Sequence, residues 1–113
     1  MISRPEGLEI VEVELDFNFQ TFEYLEIDLS HINKNERSNY TKEEVTTILI
    51  SIISGLKLVP SDEKEFGDEI CSYFVRSGEY ESKKYKLVFC ICSDRPTSIG
   101  VITLHRIWGY YES

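Results

Sequence analysis

Two histidines, His31 and His105, are the side chains of this sequence best suited to moving protons near neutral pH. His31 stands where a short helix is expected to begin, and a helix N-terminus disfavours imidazolium, which suits a neutral general base. His105 lies in an apolar run, Ser98–Trp108, that reads as a strand. Thr103 shares its strand face, while Arg106 points to the other. Lys84 and Lys86 share one face of the preceding run, and Arg37 follows His31 by six residues. These types suit proton transfer beside an anion: His31, His105 and Thr103 are the candidate catalytic groups, and Arg37, Lys84, Lys86 and Arg106 offer positive charge to a phosphate. Each residue also has a plainer role: first-turn histidine, hydrogen-bonded strand residue, surface ion pair, solvated lysine.

Other chemistries lack their motifs. No serine sits in a nucleophile elbow and no glycine-rich phosphate loop occurs. Cys71, Cys90 and Cys92 form no disulfide framework, and Cys90, Cys92 and His105 lack paired two-cysteine zinc spacing. Neither a metal nor a cofactor is therefore expected. A net charge of −8 argues against a generic nucleic-acid binder. That charge is uneven: residues 1–30 carry eight acids and one arginine, for −7, leaving −1 for the remainder. No apolar run approaches the roughly 18 residues a membrane helix needs, and no signal-peptide pattern opens the chain. Cytoplasmic residence without a membrane is the expectation.

The elements that must position these groups read as follows. Val11, Val13, Leu15, Phe17 and Phe19 alternate with Glu12, Glu14, Asp16, Asn18 and Gln20, predicting a half-buried strand with an acidic outer face. Leu25, Ile27 and Leu29 repeat the pattern, so either a hairpin turns near residues 18–21 or Phe22–Leu29 runs on as one bent strand. Ser30 is a candidate cap for a short helix. Thr41 and Glu44 form a capping box ahead of Val45, Ile48, Leu49, Ile52, Ile53 and Leu56, predicting a helix over 41–58 that stops before Pro60. The charged segment 61–69 reads as exposed. Strands are expected over 70–76, 84–93 and 98–108, with a turn at 77–82 containing Gly78. Both runs of the last hairpin look apolar on two faces, as central strands covered on both sides do. The sum is one α+β domain over 1–113: two N-terminal strands, two helices, then a three-stranded antiparallel meander, with the helices on one sheet face.

Ser30-His31-Ile32, Glu36-Arg37 and Tyr40-Thr41-Lys42-Glu43-Glu44-Val45, with the closing strands Tyr85–Phe89 and Ile102–Ile107, resemble the RelE/BrnT-like toxin domains. The resemblance spans about 29–108 and makes 1–29 an added acidic strand pair on a RelE-like core at 30–113. It implies a metal-independent toxin-type endoribonuclease whose partners are RNA and a cognate antitoxin. Toxins that cut RNA are usually basic, and this chain is acidic. The alternative is an acidic protein-binding module, immunity- or antitoxin-like, whose N-terminal carboxylates meet a basic partner. A third is a RelE-like scaffold without catalysis.

Overall fold

The computed structural model describes residues 8–34 and 39–107. Alternation of apolar and acidic residues builds β1 (Leu8–Phe17) and β2 (Gln20–Asp28). Asn18 and Phe19 turn between them at φ of 52° and 63°, the left-handed geometry of a two-residue hairpin loop. Asn18 also fixes where this hairpin sits. Its Nδ2 donates to the Leu58 carbonyl at 3.0 Å and its Oδ1 accepts from the Leu58 N–H at 2.7 Å.

Asp28, rather than Ser30, caps the one-turn helix α1 (Leu29–Asn33), its carboxylate accepting from the His31 N–H at 3.2 Å. The capping box forms as expected: Thr41 Oγ1 accepts from the Glu44 N–H at 3.1 Å, and Glu44 Oε1 from the Thr41 N–H at 2.9 Å. Helix α2 (Lys42–Ile53) then buries Val45, Ile48, Leu49, Ile52 and Ile53. It stops earlier than Pro60 requires, because Gly55 at φ 76° turns the chain and donates its N–H to the Asp16 carbonyl at 2.7 Å.

Beyond α2 the structure corrects the expectation. The charged segment is a strand, β3 (Asp62–Phe66), paired along its length with β4 (Glu69–Tyr80). Its five side chains are all exposed, so no alternating pattern marks it, and its charges suit an unprotected edge. Gly78 is not in a turn. It lies within β4, and Glu81 and Ser82, at φ of 50° and 66°, make the turn into β5 (Lys83–Cys92). The last strand is β6 (Ser98–Ile107).

The strands form one six-stranded mixed sheet in the order β1-β2-β6-β5-β4-β3. β2 and β6 run parallel, and every other neighbouring pair is antiparallel. The described residues are thus mostly sheet with two short helices, not an α+β RelE-like arrangement of helices followed by a three-stranded meander. What overturns that reading is the β2–β6 pairing, Leu25 opposite Ile99 and Ile27 opposite Val101. It draws the N-terminal hairpin into the same sheet as the closing strands.

The core lies on one side of that sheet. Phe17, Phe22, Leu25, Ile27, Phe74, Leu87, Phe89, Ile99 and Leu104 meet the buried stripe of α2 there. β5 and β6 are central in strand order, as their composition suggested, but among the described residues helices cover only one of their faces. Among the described residues no helix is long and apolar enough to cross a membrane.

Candidate functional site on the uncovered sheet face

Strand alternation sends every second side chain of the central strands away from α2. On that face a basin of about 710 Å³ lies over the middle of the sheet, lined among others by Glu26, Asp28, Glu69, Cys71, Tyr73, Cys90, Cys92, Asp94, Arg95 and Gly100. Arg95, in the β5–β6 connection, organises its charge. Its Nε lies 3.0 Å from Glu26 Oε2, its Nη1 2.8 Å from Asp94 Oδ2, and its Nη2 4.0 Å from Glu69 Oε1. Glu26 Oε2 also accepts from the hydroxyl of buried Ser98 at 2.7 Å. Burial first, then the neighbouring Asp94, push the Glu69 carboxyl above its ordinary range, while Arg95 pulls it back. Apart from the adjacent Asp94, Arg95 takes its partners from β2 and β4, so no local spacing announces the cluster.

The cysteines differ from expectation. Cys71 and Cys92 are directly opposed in the β4–β5 register with Cα atoms 4.0 Å apart, and they form a disulfide. No spacing rule predicts this bond, which depends on a strand register that brings together residues 21 apart in sequence. Cys90 remains a thiol on the same face. Burial raises its pKa, against the lowering influence of Arg95. Because thiolate is the reactive form, alkylation of Cys90 in the native protein is expected to inflect above its ordinary 9.0, and at a lower pH in urea. A folded state that holds this proton more tightly loses stability as pH rises past 9.0. Rates of iodoacetamide labelling against pH, folded and unfolded, check this. Coincident profiles would refute it.

The residues singled out for RNA chemistry are partly gathered. In the β5–β6 register Lys86 faces His105 and Val88 faces Thr103, which puts Lys84, Lys86, Thr103 and His105 on the uncovered face. A bulge between Val88 and Phe89 keeps them there. Arg106 does not join them. It pairs with buried Tyr85 on the helix side, where its charge bears on the Tyr85 phenol. His31 is exposed on α1, whose Ile32 turns into the core. Among the described residues, no hydrogen bond, ion pair or ring contact joins His31 to His105 or to Thr103. Arg37 lies outside the described residues.

The N-terminal hairpin supplies the second charged feature. From Leu8 to Asp28 it carries Glu9, Glu12, Glu14, Asp16, Glu23, Glu26 and Asp28, and no lysine or arginine. Lys42 reaches Glu9 at 3.3 Å and Arg95 reaches Glu26, while Glu12, Glu14, Asp16 and Glu23 stay exposed. The β1–β2 register slips between Glu12 and Leu15. Beside that bulge lies a depression of about 480 Å³ lined by Glu12, Val13, Glu14, Thr21, Glu23 and Tyr24. Its carboxylates and the Tyr24 ring make a receptacle for a cationic side chain. No family model, curated protein or solved structure matches this chain.

Proposed function

We propose that this chain is an acidic protein-binding module of the immunity or antitoxin-like kind, and that its β1–β2 hairpin receives a basic partner. The observation that carries the reading is the concentration of seven carboxylates and no cation in a hairpin at the sheet edge. β1 is terminal in the strand order, and among the described residues no strand lies on the outer side of its backbone. Its acidic side chains oppose pairing with another copy of the same strand and favour a chain carrying lysine or arginine. The depression at the bulge takes one such side chain.

A fluorescent peptide of alternating lysine and valine is the probe, read by anisotropy. Binding is expected to weaken about tenfold between low and moderate salt, because exposed charges are screened within about 10 Å at 0.1 M. Joint replacement of Glu12, Glu14 and Asp16 by lysine is expected to abolish it, with circular dichroism verifying the fold. Undiminished binding by that variant, or salt-independent binding, would refute the reading.

One observation favours a second reading, metal-independent RNA cleavage of toxin type. Lys84, Lys86, Thr103 and His105 share one uncovered face, where an RNA backbone has access. Incubation with total RNA in EDTA tests it, with His105→Ala and His31→Ala as comparisons. Cleavage that is lost in His105→Ala and kept in His31→Ala supports this reading, and uncut RNA refutes it.

A further inference from the structure

Glu69, Cys71 and Cys92 place two sulfurs and a carboxylate oxygen within 4.8 Å of one another, at the basin on the uncovered face. We propose that, once its disulfide is reduced, this cluster binds a thiophilic divalent cation of the zinc type. The protein would then hold β4 to β5 by a disulfide in one redox state and by a metal in the other.

The donor set and its spacing carry the argument. Zinc bonds of about 2.3 Å to thiolate and 2.0–2.2 Å to carboxylate put neighbouring ligands about 3.3–3.8 Å apart in a tetrahedron. Ligand atoms already within 4.8 Å need small movements to reach that arrangement. The backbone holds them there. Cys71 and Cys92 are opposed across the ladder, and Glu69 lies two residues before Cys71 on the same strand. Both sulfurs are buried, at 3% and 6% residue exposure, as durable thiolate sites usually are, yet the basin gives an entry path. Two thiolates, one carboxylate and a divalent cation sum to −1. The Arg95 guanidinium, 4.0 Å from Glu69, offsets that charge. Water completes the coordination.

The chemistry balances with an external thiol. Two equivalents of a small thiol such as glutathione give two electrons and two protons to the Cys71–Cys92 bond and leave as their own disulfide. Metal binding then releases the two cysteine protons as the thiolates form. Oxidation by a disulfide of the same class reverses both steps and expels the metal.

The test uses the whole protein, reduced with a phosphine, stripped of metal and titrated with cobalt(II) alone. A thiolate-to-cobalt charge-transfer band saturating at one equivalent is expected, absent from the oxidised protein and displaced by zinc. Glu69→Gln should weaken cobalt binding by about tenfold or more. Cys90→Ser should leave it unchanged. Zinc should cut the reduced protein's reactive thiols from three to one. If reduction unfolds the chain, recovery of its circular dichroism on adding zinc supports the site, and failure to recover overturns it. A folded, reduced protein without the band also overturns it, as does a band that survives Cys71→Ser. Binding lost with Cys90→Ser but kept in Glu69→Gln would overturn the assigned ligand set.

Discussion

Truncation of Phe17 to alanine is expected to destabilise the protein by about 3–5 kcal/mol, the usual cost of emptying a buried phenylalanine site. Phe17 is 1% exposed and sits at the end of β1, on the edge hairpin that carries the acidic surface. Its ring meets Phe74 and Phe89 edge-on at 5.4 Å each and Phe22 at 6.4 Å, while Phe74 and Phe89 stack at 5.1 Å. One side chain from the first strand therefore closes on rings from β2, β4 and β5. The alanine variant loses apolar burial and leaves a void between strands far apart in sequence, which the sheet cannot collapse without breaking register. Against a total stability of about 5–15 kcal/mol, that loss removes a large share of what holds the fold. Urea denaturation measures it. Phe19→Ala two residues on is the control, because Phe19 is 86% exposed and should cost under about 1 kcal/mol. A loss below about 1 kcal/mol in Phe17→Ala would mean the hairpin is not anchored there. Lysine-peptide binding should fall with the same variant, since the receptacle belongs to that hairpin.

The sequence was legible wherever an element advertises itself by its own periodicity. β1 alternates without error from Val11, and α2 announces its start through Thr41 and Glu44 and its buried stripe through Val45, Ile48, Leu49, Ile52 and Ile53. It was illegible where pairing is the cause. Asp62–Phe66 has no apolar face and becomes a strand because β4 offers it a ladder. The parallel alignment of Leu25 with Ile99 rests on a contact between distant parts of the chain, and that contact removes the RelE-like arrangement. The site divides in the same way. Alternation alone groups Thr103 with His105 and Lys84 with Lys86, but the β5–β6 register and its bulge bring the two pairs to a common face. The Cys71–Cys92 bond and the three carboxylates around Arg95 required the register and the sheet order.

Gly78 shows how closely the helix depends on that register, and a double-mutant cycle with Ile52 should expose it. A Cβ at Gly78 would lie 2.7 Å from Ile52 Cγ2, 3.0 Å from its Cγ1 and 3.3 Å from its Cβ. These atoms sit at the branch of a β-branched side chain on α2, so they cannot swing aside as the end of a lysine would. Gly78→Ala is therefore expected to cost about 1–3 kcal/mol by overpacking. Ile52→Ala alone should cost about 2–5 kcal/mol by cavity formation. In the double variant the new methyl takes up part of the space the isoleucine left, so the loss should fall about 1–3 kcal/mol short of the sum. Helix α2 carries four isoleucines, two threonines and a valine, and so owes its stability to packing on the sheet rather than to propensity. Strong coupling between these two positions would locate that support on β4, whose far face carries Cys71 and Tyr73 into the basin. Additive costs would mean that α2 rests elsewhere and that the sheet face below it is free to shift.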